Sequence, residues 1–178
     1  LSGWHSIAFK STEAGIVASH DQYGVLPVAR LSDGIRTLIG VAADIAHRAI
    51  RLNSQLGKEA VISTPGIVLI DEVDMHLHPE WQQVIIESLR KSFPRIQFIV
   101  TTHSPQVLTT VHQASVRILQ QTADGWQVEL PGSQTRGVES ADVLTRIMGV
   151  DSIPEVDEAK WVAAYQALIE NDQAATSN

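Results

Sequence analysis

The sequence contains no cysteine, no long apolar run and no basic cluster. Without cysteine, neither disulfide bonds nor thiolate metal sites can form, a composition that suits a reducing, cytoplasmic environment. No apolar stretch approaches the roughly 20 residues that a membrane-spanning helix requires. We therefore expect a cytoplasmic protein without a membrane partner.

Charge is distributed unevenly along the 178 residues. The formal net charge of −7 consists of +1 over residues 1–66, −2 over 67–113 and −6 over 114–178. Nucleic-acid-binding proteins usually carry a concentrated basic surface, and no segment here predicts one. Any DNA contact is therefore expected only through parts outside this chain.

Two apolar patterns in the middle of the chain predict an α/β domain. From Ile35 onward, apolar residues recur at steps of three and four, which predicts a long helix that Ser32 or Asp33 can cap. Residues 67–70 form a short continuous apolar run, which predicts a strand buried on both faces. A helix from Pro79 to residue 93 follows.

The next predicted strand, residues 96–101, completes a strand, helix, strand unit. Its crossover has the length that parallel strands require, so we expect the two strands to lie parallel. Parallel strands bring their carboxyl ends to one edge of the sheet, where α/β proteins bind ligands. Asp71, Glu72 and residues 101–103 are predicted to meet there.

Shorter elements are predicted on either side of this unit. They are strands over 5–10 and 14–19, an irregular lead-in over 23–30, a hairpin of 116–120 with 126–130, and helices over 140–148 and 158–171. We divide the chain into a lobe over 1–130 and a helical extension over 131–178.

The adjacent carboxylates of Asp71 and Glu72 fit the chemistry of nucleotide hydrolysis. One acid can hold Mg²⁺, often through water, while the next orients or deprotonates the attacking water. Asp71 is the candidate metal ligand and Glu72 the candidate catalytic residue. Acidic turn residues also end many strands for purely structural reasons, so this pair alone does not decide the function.

Residues 31–34, Leu-Ser-Asp-Gly, precede the long helix and form a candidate anion site. Unpaired backbone N–H groups and the helix dipole favour a phosphate there, and Gly34 permits its close approach. Arg36 can add a charge-assisted hydrogen bond. An ordinary Ser32 or Asp33 cap followed by a glycine is the structural alternative.

His103 is the third candidate, within Thr-Thr-His-Ser-Pro at the end of the second strand. A histidine at this position can donate a hydrogen bond to a γ-phosphate oxygen. A single histidine after a strand is usually structural. The order of Ser32, Asp71 and His103 along the chain strengthens the functional interpretation, because each lies where the predicted elements expose it.

These segments resemble an ABC-type ATPase. LSDG resembles the signature sequence, residues 68–72 a Walker B strand and TTHSP an H-switch. The wider sequence resembles RecF/SMC-like bacterial ATPases that include the Septu and retron-associated defence ATPases. The matching segments are LIDEVDMHLHPEWQ and, after it, FPRIQFIVTTHSPQVL. The resemblance covers residues 31–112 and implies an α/β P-loop NTPase fold, an ABC-type head with a parallel sheet flanked by helices.

The resemblance also implies roles for single residues. Ser32 and Gly34 would contact ATP that the opposite subunit binds, whereas Asp71, Glu72 and His103 would serve their own subunit's ATP and Mg²⁺. Asp74 resembles the acid that communicates across the dimer interface. The implied partners are a second ATPase head, in a homodimer or higher oligomer, and a nuclease in phage defence or DNA-end processing.

One motif of the family is missing from the sequence. No G-x-x-x-x-G-K-[S/T] segment is present, and the resemblance places the P-loop far upstream, so we expect this chain to be the C-terminal part of a longer head. A degenerate ATPase homologue, a catalytically idle interaction module and a transporter-type ATPase remain alternatives. A nuclease or zinc site that uses His76 and His78 is a further alternative.

Overall fold

The computed structural model describes residues 3–11, 15–151, 153 and 155–176. Within them the chain forms three separate sheets and seven α-helices. The strands are β1 (Trp4–Lys10), β2 (Gly15–His20), β3 (Gly24–Pro27), β4 (Gly66–Ile70), β5 (Ile96–Val100), β6 (Ile118–Thr122) and β7 (Gly125–Glu129). The helices are α1 (Asp33–Leu52), α2 (Ala60–Ser63), α3 (Pro79–Gln82), α4 (Ile85–Ser92), α5 (Pro105–Leu108), α6 (Ser140–Arg146) and α7 (Asp157–Thr176). No described helix combines the length and apolar character needed to cross a bilayer.

Strands β1, β2 and β3 form an antiparallel sheet with β2 in the centre. The first two strands were predicted, although residues 12–14 between them lie outside the described residues. The prediction of an irregular segment over 23–30 was wrong, because this segment contains β3 and a 3-10 turn. Gly24 has a φ of +70°, which lets the chain reverse, and Pro27 is tolerated at the end of an edge strand.

Helix α1 confirms the predicted amphipathic helix and its start. Ser32 occupies the position before the first helical residue, although its side chain makes no capping hydrogen bond. Leu38, Ile45 and Ala49 are buried along one side of the helix. This spacing of seven and four residues corresponds to one face of a 3.6-residue period, and it places α1 against the core.

Strands β4 and β5 pair in parallel, as predicted, with Ile70 opposite Val100 at their carboxyl ends. The single helix predicted between them was wrong, because the chain forms the separate helices α3 and α4. Val84 donates its backbone N–H to Trp81 O at 3.1 Å, a tighter i to i+3 bond. Three successive β-branched residues at 84–86 lower the helix propensity at this break.

The apolar core lies between the β4–β5 pair and the helices α1 and α4. Its buried residues are Leu38, Ile45, Val73, Leu77, Ile85, Leu89, Phe93 and Val107, and Val68, Ile70, Phe98 and Val100 of the strands pack against them. The other strand face carries Ile67, Leu69 and Ile99, which are 62%, 76% and 50% exposed. The prediction of burial on both faces was therefore wrong, because no described element covers this side of the sheet.

The remaining elements follow α5 along the chain. Strands β6 and β7 form the predicted hairpin, and Thr122 pairs with Gly125 across its turn. Residues after the hairpin pack on α5, where the N–H of Gly137 donates to Thr109 O at 2.9 Å. The side chains of Thr135 and Val143 are fully buried. The division at residue 130 remains a prediction.

Candidate functional site

The carboxyl ends of β4 and β5 bring the predicted polar residues to one edge of the sheet. Asp71 and Glu72 directly follow β4, and residues 101–103 directly follow β5. Because Ile70 pairs in parallel with Val100, both strands end at the same level. Asp71, Glu72 and His103 are all exposed at this edge.

Thr101 connects the two strand ends. Its hydroxyl donates to Oδ1 of Asp71 and accepts the backbone N–H of Glu72 at 2.8 Å. Its own N–H donates to Ile70 O at 3.0 Å, and its carbonyl accepts from Val73 N at 3.0 Å. Thr101 therefore contacts four successive residues at the end of the neighbouring strand.

Glu72 adopts an unusual backbone conformation at this edge. Its φ is +49°, and that of His76, four residues later, is +62°. A left-handed conformation is uncommon for residues other than glycine, and such local strain is concentrated at functional sites. The hydrogen bond from Glu72 N to Thr101 helps to hold the first of these two turns.

Asp74 belongs to a hydrogen-bond network within its own chain. Its Oδ1 accepts from the Thr102 hydroxyl, and Thr102 Oγ1 accepts from Ser104 N at 3.0 Å. The amide of Gln82 donates to the carbonyl of Leu77 at 2.9 Å, and the Ser104 hydroxyl donates to Gln82 Oε1 at 2.7 Å. The network joins the segment after Asp71 and Glu72 to the segment after β5.

Gly34 packs directly on the segment that follows Asp74. A Cβ atom at Gly34 would lie 2.3 Å from the carbonyl oxygen of His76 and 3.3 Å from Cδ2 of Leu77. Backbone oxygen cannot approach a carbon so closely, so only glycine fits this position without a shift. The start of α1 is thus seated against the turn between the carboxylates and α3.

Arg36 and Asp33 form an ion pair at the start of α1. The Arg36 guanidinium donates to Asp33 Oδ1 and to Ala29 O, the latter at 3.4 Å. Both side chains are well exposed. Because an exposed ion pair contributes only about 0–1 kcal/mol, Arg36 can exchange Asp33 for a phosphate at little cost.

The donor set around Asp71 fits Mg²⁺ rather than zinc. Mg²⁺ prefers oxygen ligands and is commonly held by one or two carboxylates together with substrate phosphates. Thr101 binds only Oδ1 of Asp71, which leaves Oδ2 for such a contact. The described residues contain no group of three or more potential metal-binding side chains. His78 instead accepts from Glu80 N at 3.4 Å and caps α3.

The structure adds polar residues that sequence reasoning did not select. Thr101 and Thr102 were visible only as part of the motif that contains His103, and their position beside two acids depends on the strand register. Gln82 and Ser104 carried no signal, since a glutamine in a helix and a serine before a proline are common. Among the described residues, Ser32 to Arg36 form no hydrogen bond or ion pair with Asp71 or Glu72.

Known proteins are similar to this chain over most of its length. Residues 9–109 match the family described as "AAA domain, putative AbiEii toxin, Type IV TA system". The Retron Vc95 probable ATPase of Vibrio cholerae serotype O1 biovar El Tor is 40% identical over 151 residues, which cover 83% of this chain and 29% of that protein. The Retron Ec83 probable ATPase of Escherichia coli is 40% identical over 179 residues, which cover 100% of this chain and 32% of that protein.

More distant relatives extend these similarities. The Septu protein PtuA of Bacillus mycoides (strain KBAB4) is 36% identical over 132 residues, which cover 72% of this chain and 18% of that protein. A solved structure, from work on ATP-driven dimerization and DNA-stimulated activation of SMC ATPases, is similar over 72% of this chain and 73% of that chain. Its TM-score is 0.48 and its sequence identity 16%.

The matches cover most of this chain but only part of its relatives. The chain spans less than a third of the length of the two retron ATPases. The family match nevertheless covers more than half of the chain. Together with the retron and Septu relatives, it confirms the predicted resemblance to the Septu and retron-associated defence ATPases. The chain therefore belongs to this AAA domain family of P-loop NTPases.

Proposed function

We propose that this chain is the C-terminal lobe of a dimeric ABC-type ATPase head, which binds and hydrolyses ATP together with a P-loop outside the chain. The observation that carries the proposal is the shared edge of β4 and β5. There, Asp71 and Glu72 lie beside the segment that contains His103, and the Thr101 hydroxyl donates to the Asp71 carboxylate and accepts from the Glu72 backbone N–H. A phosphate-facing edge of this composition suits Mg²⁺-dependent phosphoryl transfer to water.

Each residue of the edge has a distinct role in this proposal. Asp71 would hold Mg²⁺ through its carboxylate. Glu72 orients and deprotonates the attacking water, and His103 donates a hydrogen bond to a γ-phosphate oxygen. Mg²⁺ supplies neutralisation of the charge on the β- and γ-phosphates.

The start of α1 serves a second nucleotide in this account. Ser32, Asp33 and Arg36 are exposed there, at the positive end of the helix dipole. We assign them, with the backbone of Gly34, to the ATP of the opposite subunit, so that two heads enclose two nucleotides. We assign Asp74 to communication across this dimer interface.

The relatives suggest a cellular role for the longer protein. The retron ATPases and the Septu protein PtuA carry the names of bacterial defence systems. We extend this to the present chain and propose that ATP hydrolysis drives a conformational switch in an anti-phage defence or DNA-processing complex. A nuclease would then act as the partner, and any contact with DNA would involve parts outside this chain.

Substitution of Glu72 tests the proposed activity directly. In the full-length protein, Glu72→Gln should lower ATP turnover by about 10²–10⁴-fold, because a general base contributes a rate factor of this size. The variant should still bind ATP and should remain a dimer for longer, since the nucleotide is not consumed. Phosphate release and analytical ultracentrifugation measure the two effects.

Two further variants complete this experiment. Glu129→Gln, an exposed acid on β7, should hydrolyse ATP at the wild-type rate. Ser32→Arg should abolish ATP-dependent dimerisation while nucleotide binding persists. A Glu72→Gln protein that releases phosphate normally would overturn the catalytic assignment, and unchanged sedimentation of Ser32→Arg with ATP would overturn the enclosed-nucleotide arrangement.

A further inference from the structure

We infer that Thr101 is a positioning residue, which orients the carboxylate of Asp71 and holds the left-handed backbone of Glu72 for binding of Mg²⁺·ATP. This inference rests on the proposed function and goes beyond it. It assigns a task to a residue that does not itself contact the reacting atoms. The assignment comes from the bonds that Thr101 makes, rather than from its place in a motif.

Thr101 forms four hydrogen bonds with the end of the neighbouring strand. Thr101 makes two backbone bonds to Ile70 and Val73 and two hydroxyl bonds to Asp71 and Glu72. The backbone bonds continue the parallel ladder of β4 and β5 beyond its last paired residues. Pairing of the strands does not require the two hydroxyl bonds. These bonds therefore stabilise the residues after β4 rather than the strand pair itself.

The hydroxyl group of Thr101 bonds to Asp71 and Glu72 at the same time. A hydroxyl can donate one hydrogen bond and accept others at the same time. Thr101 uses both capacities, since it donates to Oδ1 of Asp71 and accepts from the Glu72 N–H at 2.8 Å. This arrangement holds one oxygen of Asp71 and leaves Oδ2 for the metal.

The backbone conformation of Glu72 also depends on Thr101. Its φ of +49° is costly for a residue with a side chain and persists only where neighbouring contacts hold it. The bond from Glu72 N to the Thr101 hydroxyl is such a contact. One side chain thus controls both a metal ligand and the conformation of the adjacent catalytic residue.

Substitution of Thr101 separates the hydroxyl bonds from the ladder. Thr101→Val keeps the size, the β-branch and the backbone bonds but removes the hydroxyl, and Thr101→Ala removes it with a smaller side chain. Thr101→Ser restores the hydroxyl. Thr122→Val is the matched control, because Thr122 donates a single bond to Gly125 O at 2.9 Å in the β6–β7 turn.

The experiment measures metal binding and hydrolysis in the full-length protein. Mn²⁺ affinity in the presence of a non-hydrolysable ATP analogue is measured by electron paramagnetic resonance, and the Mg²⁺ concentration for half-maximal hydrolysis by phosphate release. We expect Thr101→Val and Thr101→Ala to lower the Mn²⁺ affinity and to raise the Mg²⁺ concentration for half-maximal hydrolysis, each by about 10–100-fold. This is the effect typical of residues that orient a metal ligand. The affinity for metal-free ATP should not change.

The controls distinguish failure of this inference from failure of the proposed function. Thr101→Ser should recover most of the lost metal affinity, and Thr122→Val should behave as the wild type. If Glu72→Gln abolishes hydrolysis while Thr101→Val and Thr101→Ala keep the wild-type metal dependence, the role of Thr101 is overturned and the proposed function stands. If Glu72→Gln hydrolyses ATP normally, both the proposed function and the role of Thr101 are wrong. Equal loss of metal-free ATP binding in all three Thr101 variants would show a merely structural role and would overturn the inference.

Discussion

The two faces of the β4–β5 pair differ in a way that explains how the site is built. On one face, Val68 and Phe98 pack against the core below α1 and α4. On the other face, Leu69 is 76% exposed and Ile67 62%. Parallel sheets are normally covered on both faces. The polar edge is nevertheless held in place, because Thr101 bonds to Asp71 and to the Glu72 backbone and Thr102 bonds to Asp74.

The largest change in the free energy of unfolding should come from a substitution in the core beneath the packed face. Ile85, which is 2% exposed on α4, fills the core, whereas Leu69 does not. In the 178-residue chain, Ile85→Ala should lower the free energy of unfolding by about 2–5 kcal/mol, through lost burial and a residual cavity. Leu69→Ala should change it by no more than about 0.5 kcal/mol, as is usual for exposed positions.

Urea unfolding followed by circular dichroism measures this difference. The two substitutions remove similar apolar volumes, so burial is the main variable between them. Equal destabilisation by both would show that the face carrying Leu69 is covered, and the contrast between the two faces would be wrong.

An intermediate effect is expected at the contact between α1 and the turn after Asp74. Gly34→Ala forces a carbon within 2.3 Å of the His76 carbonyl oxygen. The turn must shift, and we expect a loss of about 1–3 kcal/mol in the free energy of unfolding. Gly40, also in α1, has nothing within 4 Å of its added Cβ. Gly40→Ala should therefore stabilise the helix by up to about 1 kcal/mol.

The two glycine variants can be compared directly because both residues lie on α1. The same chemical change should act in opposite directions, and thermal or urea unfolding of both variants measures it. Stabilisation by Gly34→Ala would mean that α1 is not seated against His76, and the contact between the start of α1 and the turn after Asp74 would be wrong.

The smallest effect concerns the solvent side of α4, opposite the buried Ile85. Lys91 donates a hydrogen bond to Glu87 at 3.0 Å, and this bond, followed by the charge of Lys91, lowers the pKa of Glu87 below its ordinary value. Because the folded-state pKa is the lower one, the pair stabilises the fold above the unfolded-state pKa. This contribution is lost as the pH falls through the folded-state pKa.

Lys91→Ala should return the pKa of Glu87 toward its ordinary value, because the donor and its charge are removed. An NMR titration of the Glu87 carboxyl carbon measures the change, and Lys160→Ala, which removes a lysine paired with Asp157 on α7, is the control. A pKa of Glu87 that does not respond to loss of Lys91 would contradict this assignment.

Local patterns in the sequence predicted the elements that form the site. Asp71 and Glu72 follow a short apolar run, and the crossover between the two strands has the length that parallel strands require. One-sided burial could not be predicted, since an apolar run has the same appearance whether or not another element covers it. The role of Thr101 was hidden for a different reason. It depends on the register that sets its hydroxyl beside Asp71, and sequence periodicity does not specify this register.

Two errors in the predicted elements have simple physical origins. Strand β3 contains Pro27, which suggests a loop, yet an edge strand does not need the missing N–H there. The break between α3 and α4 falls within an apolar periodicity that continues through both helices. The hydrogen bonds of Gln82 to Leu77 and Ser104 hold α3 at the site, while α4 follows the core.

A structure of the full-length protein with Mg²⁺ and a non-hydrolysable ATP analogue would show whether ATP binds at the carboxyl edge of β4 and β5. We expect the metal at the carboxyl edge of β4 and β5, either about 2.0–2.1 Å from Asp71 Oδ2 or joined to it through one water. Glu72 and His103 should lie beside the γ-phosphate. A nucleotide bound elsewhere, with Asp71 and Glu72 both remote from the metal and the phosphates, would contradict the account.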